Sequence, residues 1–85
     1  MLIRYFEGKM VDACVLIRTE RGKYRDVVGK VRRIKAVQDV YPVLGRYDVV
    51  VHVSAKDSKE LGRTVMKVSR MAGVVFTETL VEVER

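Results

Sequence analysis

The stretch from Gly45 to Val53 constrains the fold of this chain more than any other. A glycine turn that carries an aromatic ring and a carboxylate, Gly-Arg-Tyr-Asp, leads directly into Val-Val-Val-His-Val, a run typical of a β-strand. Valines at both even and odd positions, such as Val50 and Val51, put apolar side chains on both faces of that strand. Helices of a small domain can cover one face of its sheet. The other face therefore predicts a second subunit.

Composition bounds the class of protein. A length of 85 residues, 48% of them hydrophobic and 33% charged, indicates one globular domain with a small core. The single cysteine, Cys14, excludes an internal disulfide and favours a reducing, cytoplasmic location. No apolar run approaches the ~20 residues of a membrane span, and no leader resembles a signal peptide. A charge-rich chain without asparagine is also typical of a thermophile.

Hydrophobic periodicity divides the chain into an N-terminal arm, residues 1–9, and a domain, residues 10–85. Alternating or continuous apolar runs predict strands at residues 10–19, 37–44, 48–55 and 74–83. Helical spacing predicts two helices between them, and their apolar residues are Tyr24, Val27, Val28, Val31 and Ile34 in the first and Leu61, Val65, Val68 and Met71 in the second. Asp57 followed by Glu60 predicts the start of the second helix, and Gly73 its end.

This order of elements predicts an α+β, ferredoxin-like βαββαβ fold, with a four-stranded antiparallel sheet and two helices on one face. The two halves repeat at an offset of 37 residues, since Val28, Val31 and Val37 correspond to Val65, Val68 and Val74. Right-handed crossovers place the first and third strands in the middle of the sheet. Those are the strands with apolar residues on both faces, which supports the assignment of this fold.

Three segments, in the same order, resemble a known family. They are Ala13-Cys14-Val15-Leu16-Ile17 leading to Gly22-Lys23, then Val37-Gln38-Asp39-Val40-Tyr41-Pro42-Val43-Leu44-Gly45-Arg46-Tyr47-Asp48, and Gly73-Val74 before Thr77-Glu78-Thr79. From Val11 to Glu82 the chain resembles the effector-binding domain of the Lrp/AsnC, or feast/famine, transcription regulators. Members of that family usually carry a helix-turn-helix domain, and only nine residues precede the predicted domain here. The resemblance therefore implies the stand-alone form of the domain.

The resemblance implies a function and a set of site residues. It implies a dimeric α+β barrel, formed by packing sheet against sheet, which would account for the two-faced strands. It also implies that such dimers assemble into rings such as octamers, that an amino-acid effector or a related metabolite binds between dimers, and that a DNA-binding relative is a partner in transcription regulation. By position in the motif, Gly45, Tyr47 and Asp48 would belong to the effector site. Thr77, Glu78 and Thr79 are carried over from a less distinctive segment.

The residue types of the turn suit an amino acid. The Asp48 carboxylate could bind an ammonium group, while backbone N–H groups of the turn, or the Arg46 guanidinium, could bind a carboxylate. A structural role is the alternative, in which Gly45 allows a positive φ and Asp48 hydrogen-bonds the turn. The residues alone favour the structural role, whereas the resemblance favours the ligand.

Other side chains support catalysis, metal binding or cofactor binding only weakly. His52 in a strand would need an orienting partner to act as a base, so a hydrogen-bonded interface histidine is the preferred interpretation. Cys14 is expected to be a buried, small apolar residue. The sequence has neither paired metal ligands nor a glycine-rich phosphate loop, so we expect no metal and no cofactor. The competing function is a cofactor-free enzyme of the dimeric α+β barrel type that uses His52 or Asp48.

Basic residues surround the predicted first helix, and the chain has a formal net charge of +6. The set comprises Lys23, Arg25, Lys30, Arg32, Arg33 and Lys35. Readers of single strands on this fold present aromatic side chains from the sheet, and the predicted central strands have none. The sequence therefore predicts a solvated helix face and no sequence-specific nucleic-acid binding.

Overall fold

Six elements alternate along the chain in the predicted βαββαβ order. The computed structural model describes residues 10–83, so the predicted arm of residues 1–9 lies outside the described residues, as do residues 84 and 85. The elements are β1 (Val11–Thr19), α1 (Tyr24–Val31), β2 (Val37–Pro42), β3 (Val49–Ala55), α2 (Ser58–Ser69) and β4 (Val74–Val81). The ferredoxin-like α+β fold is thereby confirmed. No helix within residues 10–83 is long and apolar enough to cross a membrane.

The sheet is antiparallel, with strand order β2-β3-β1-β4, so β1 and β3 occupy the centre as predicted. Across the central pair, Val15 lies opposite Val51 and Ile17 lies opposite Val49. These four side chains are fully buried, and α1 and α2 cover them through Val27, Val31 and Val68. The core therefore consists of one sheet face and the apolar sides of two helices.

The other face of the sheet, which we call the open face, has no helix over it in the described chain. Paired residues share a face of an antiparallel sheet, so the pairs Leu16–Val50 and Cys14–His52 both belong to the open face. Tyr41 from β2 extends this surface, as do Phe76 and Leu80 from β4. These last three side chains are exposed large hydrophobics, between 40% and 52% accessible. A second subunit on this face remains a prediction.

The internal repeat is visible in the backbone hydrogen bonds. After α1, Ile34 N donates to Val31 O and Val37 N donates to Ile34 O. After α2, 37 residues later, Met71 N donates to Val68 O and Val74 N donates to Met71 O, with the same lengths to 0.1 Å. Both helices therefore end in the same pair of tight turns before their strands, and each helix is shorter than its apolar stripe predicts.

Strands β2 and β4 each end two residues earlier than predicted. Strand β2 ends at Pro42 rather than at residue 44, because Asp48 N donates to Ile17 O on β1 instead of to Val43 O, so the regular pairing of β2 with β3 stops there. Strand β2 is an edge strand, a position that tolerates the missing N–H of Pro42, and its register shifts between Val37 and Asp39. Strand β4 ends at Val81, two residues before its predicted end.

The start of α2 follows the predicted capping pattern. Asp57 Oδ1 accepts a hydrogen bond from Glu60 N (2.8 Å), which satisfies one of the free N–H groups of the first turn. Glu60 Oε1 accepts in turn from Lys56 N (2.7 Å), one residue earlier than a capping box requires. Both acidic side chains at this end of the helix are therefore committed to backbone groups.

Gly73→Ala is expected to destabilise the protein, whereas Gly62→Ala should stabilise it. Gly73 has φ +96°, and an added Cβ would lie 3.1 Å from Val27 Cγ2 and 3.3 Å from Lys23 Cβ. Strain at this φ and the close contact should together cost about 1–3 kcal/mol. Gly62 lies within α2, where an added Cβ would meet open space, so alanine there should add about 0.5–1 kcal/mol. Thermal unfolding should show a lower melting temperature than the wild type for Gly73→Ala and a higher one for Gly62→Ala. Equal melting temperatures of the two variants would contradict the prediction.

Candidate functional site

The loop between β2 and β3 is closed by one backbone hydrogen bond, from Val43 N to Asp48 O (2.8 Å). Residues 44–47 span the resulting turn, and Gly45 adopts φ +135°, a conformation that side-chain-bearing residues rarely take. Asp48 N donates to Ile17 O (2.8 Å), which fixes the loop to the central strand β1. The N–H groups of Gly45, Arg46 and Tyr47 donate to no group within residues 10–83. They remain available to an anion.

Only one of the two carboxylate oxygens of Asp48 is used by the fold. Asp48 Oδ2 accepts from Thr19 N (2.7 Å) and from Thr19 Oγ1 (3.3 Å), and the residue is half-buried. Asp48 Oδ1 has no hydrogen-bond partner in the described chain. The structural role that the residues favoured is thus present, but it leaves one oxygen of a charged group for a ligand.

Two open grooves meet at Asp48 and Tyr24. The first, which we call the apolar groove, has a volume of about 590 Å³ and is lined also by Pro42, Val43 and Leu44. The second, the basic groove, has a volume of about 560 Å³ and includes the side chains of Arg18, Arg21 and Arg46. Asp48 therefore lies between an apolar surface and a cationic one.

Tyr47 reaches a predicted site residue on another strand. Its hydroxyl donates a short hydrogen bond to Glu78 Oε1 on β4. The Arg18 guanidinium lies 6.0 Å from the centre of the Tyr47 ring, and Arg18 Nε donates to Arg46 O (3.3 Å). The hydrogen bond to Glu78, followed by burial and by the charge of that carboxylate, raises the pKa of Tyr47 above its ordinary value.

Glu78→Gln is expected to lower the pKa of Tyr47 towards the ordinary tyrosine value of about 10. The wild-type hydrogen bond favours the neutral phenol, so its contribution to stability is present below about pH 10 and is lost as the pH rises through the raised pKa. Ultraviolet titration of tyrosinate would measure the change, with Tyr47→Phe identifying the curve that belongs to Tyr47. A titration curve that Glu78→Gln leaves unchanged would contradict the assignment.

The structure brings some predicted site residues together and separates others. Tyr47 contacts Glu78, and Gly45, Arg46 and Asp48 share the basic groove. Thr77 and Thr79 pair with Ile17 and Val15, so their side chains lie on the helix-covered side of the sheet, away from the Glu78 side chain. A role in ligand binding for these two threonines stays a prediction.

Several residues at this site were not foreseen. Thr19 is the partner of the Asp48 carboxylate, and Arg18 lies beside the Tyr47 ring. Leu44 and Tyr24 line the apolar groove, although helical spacing in the sequence predicts for Tyr24 only a place on the apolar side of α1. The residue types of Arg18 and Thr19 give no signal in the sequence, because only the antiparallel pairing of Ile17 with Val49 brings them alongside the turn.

His52 and Cys14 lie on the open face, away from the turn. His52 Nε2 is 3.1 Å from the hydroxyl of Tyr41, a hydrogen-bonded histidine of the kind the sequence favoured. His52 lines neither of the two grooves at Asp48. Cys14 is half-buried rather than fully buried, and burial raises the pKa of its thiol, which disfavours the reactive thiolate.

Known proteins resemble this chain in sequence and in fold. The Lrp/AsnC ligand binding domain matches residues 12–85. The HTH-type transcriptional regulator FL11 of Pyrococcus furiosus is 34% identical over 74 residues, which cover 87% of this chain and 49% of the regulator. The chain thus spans about half the length of the curated regulators that it matches. A weaker match, 29% identical, covers 84% of this chain but only 16% of a homocitrate synthase of Saccharolobus islandicus.

The solved structure of TTHA0845 from Thermus thermophilus shares the fold, with a TM-score of 0.85 and 34% identity over 89% of this chain and 96% of that one. Relatives from Pyrococcus and Thermus agree with the composition expected of a thermophile. The family model that matches this chain is that of a ligand-binding domain, and the matched relatives are named as transcriptional regulators. The chain belongs to the Lrp/AsnC family and comprises its ligand-binding domain.

Proposed function

We propose that this domain senses an amino acid or a related metabolite and oligomerises, and that it modulates transcription through a DNA-binding member of the Lrp/AsnC family. The observation that carries the proposal is the junction of two unlike grooves at Asp48. A free amino acid has an ammonium group, a carboxylate and a side chain within a few bonds of one another. Its recognition therefore needs an anion, cationic or N–H donors and a surface for the side chain, all close together.

Each of those three needs has a counterpart at the turn. Asp48 Oδ1 has no partner in the described chain and suits the ammonium group. The N–H groups of residues 45–47, which have no acceptor among residues 10–83, and the Arg46 guanidinium suit the carboxylate. Pro42, Val43 and Leu44 offer apolar contact to a side chain.

The exposure of the turn supports a site completed by another subunit. Leu44 at its tip is 102% accessible, so within one subunit this apolar side chain is in contact with almost nothing. Both grooves are open to solvent, and an open groove buries less of a ligand than a ligand pocket normally does. A second subunit over Leu44 would close the apolar groove and bury the ligand between subunits.

The regulatory part of the proposal follows from the relatives. The matched proteins named as HTH-type regulators are about twice as long as this chain. A domain that oligomerises through the same surfaces can join such a regulator in a mixed assembly and change its response to the effector. Binding of effector to the mixed assembly would then be coupled to DNA binding by the regulator.

Thermal-shift screening against the free amino acids, with the native mass measured alongside, tests the proposal. A ligand at 100 times its Kd should stabilise the folded state by about 2.7 kcal/mol, or a shift on the order of 10 °C for a domain of this size. The same ligand should change or reinforce the native oligomer. If no amino acid or amino-acid precursor shifts the melting temperature, the sensing function is wrong.

A further inference from the structure

Helix α2 carries a row of exposed cations along its solvent side. Its members recur at i, i+4, i+8 and i+11, and they are Lys59, Arg63, Lys67 and Arg70. At 3.6 residues per turn they fall within about 80° of arc and extend over about 16 Å. The buried residues of the helix, Leu61, Thr64 and Val68, lie on its opposite side. We call the four cations the α2 cationic stripe.

The acidic groups of the helix layer do not neutralise this stripe. Asp57 and Glu60 accept hydrogen bonds from backbone N–H groups at the start of α2. Asp26 on α1 forms an ion pair with Lys30 (3.3 Å). Within residues 10–83, none of the four stripe side chains forms a salt bridge or a hydrogen bond. Their charges are therefore uncompensated by the fold.

The stripe acts against the stability of its own helix. Lys59 with Arg63, and Arg63 with Lys67, are like charges at i, i+4, a spacing that destabilises a helix. Lys59 also lies in the first turn, where a cation is unfavourable beside the positive end of the helix dipole. A stable helix would instead alternate charges along this side, so the arrangement is better explained by an external polyanion than by folding.

We infer that the α2 cationic stripe docks onto the phosphate backbone of duplex DNA without reading its sequence. Duplex DNA presents one negative charge per about 1.7 Å of its axis, so a straight row of cations about 16 Å long faces several phosphates at once. Contacts of this kind position a protein on DNA but carry no sequence information. The helix would lie along the backbone, with its apolar side still packed on the sheet.

Two other polyanionic partners fit the stripe less well. The first is an acidic protein surface. Protein interfaces are enriched in aromatic anchors and depleted of lysine, whereas the stripe contains two lysines and no aromatic residue. A membrane-surface helix inserts its apolar side between lipids, and the apolar side of α2 is buried against strands β1, β3 and β4. The phosphate backbone needs neither feature.

The test measures the fluorescence anisotropy of labelled DNA as the protein, in the form in which it is isolated, is added. It uses two unrelated duplexes of about 30 base pairs and a series of salt concentrations. We expect equal binding of both duplexes and a steep loss of affinity with salt. Arg63→Gln/Lys67→Gln should reduce the salt slope by about 1.8 for each docked protomer, which corresponds to a loss on the order of 50-fold at about 0.1 M salt. The same variant should melt no lower than the wild type, because it removes like-charge pairs.

Arg32→Gln/Arg33→Gln is the matched control, since it removes the same net charge at the exposed end of α1. Its loss of affinity should be several-fold smaller than that of the stripe variant. Equal losses in the two variants would mean that net charge alone drives binding, and would overturn the inference. Binding of polyglutamate of matched charge as tight as that of DNA, or binding of anionic vesicles but not of DNA, would overturn it equally.

Discussion

Val50→Lys is expected to leave the protein as a folded monomer at micromolar concentration, whereas the wild type should be at least a dimer. Val50 is half-buried at the centre of the open face, and its neighbours across the ladder are Leu16 and Tyr41. Neither neighbour is acidic, and Glu78, which lies opposite Leu16 on β4, already accepts a hydrogen bond from the Tyr47 hydroxyl. The new ammonium group would therefore have no free carboxylate beside it in an interface formed by two such faces. An unpaired charge buried in this way costs about 3 kcal/mol or more, or roughly 100-fold in the dissociation constant.

The isolated subunit should tolerate the same change. The helix-side core consists of the odd-numbered valines of β3, Val49, Val51 and Val53, and Val50 points away from them. In the monomer, lysine at residue 50 can extend into water and keep its aliphatic stem along the sheet. Loss of the oligomer with an intact circular dichroism spectrum is therefore the expected combination.

Met66→Lys provides the matched control for Val50→Lys. Met66 is an exposed hydrophobic residue, 47% accessible, but it lies on α2 rather than on the open face. The two variants add the same charge, but only Val50→Lys places it on the open face. Light scattering should find the Met66 variant unchanged in mass. A wild-type protein that is monomeric with an intact fold would contradict the prediction that a second subunit covers the open face.

The two-faced strands and the repeat explain why so much of the fold was predictable from the sequence. Apolar residues at both odd and even positions of a strand indicate that β1 and β3 are central. The offset of 37 residues shows which residues of the two βαβ halves correspond. Helix ends were less predictable. Ile34 and Met71 continue the apolar stripe of each helix, yet tight turns at Val31 and Val68 end the helical hydrogen bonding before them. Hydrophobic spacing does not distinguish a helix from such a turn.

The candidate site was predictable only as a turn. Its residues are local in sequence, so the glycine, the tyrosine and the aspartate could be identified together. Thr19 lies on β1, 29 residues before Asp48, and Arg18 precedes it. Both residues contact the turn only because of the register in which β1 pairs with β3. The faces of Thr77 and Thr79 likewise depend on pairing with β1. A shift of one residue in the strand register would move both threonine side chains to the other face of the sheet, so residue types alone could not assign their faces.

Asp48→Asn is expected to lose effector affinity while retaining most of the stability of the fold. The asparagine carbonyl can still accept from Thr19 N, which is the 2.7 Å hydrogen bond that Asp48 Oδ2 accepts in the wild type. The negative charge is lost, and with it the charge-assisted hydrogen bond to an ammonium group. That loss costs about 1.5–3 kcal/mol, or roughly ten- to a hundredfold in affinity. Calorimetry with the effector found by thermal screening would measure it.

Comparison with Asp48→Ala separates the two roles of this side chain. Alanine removes both the charge and the acceptor of Thr19 N, so it should lose affinity like asparagine and also about 1–2 kcal/mol of stability. Asp39→Asn is the control, because Asp39 Oδ1 also accepts from a backbone N–H, that of Val40 (2.9 Å), but it lines neither groove. It should bind as the wild type does. If Asp48→Asn also binds as the wild type does while Asp48→Ala unfolds more easily, the carboxylate serves only the turn.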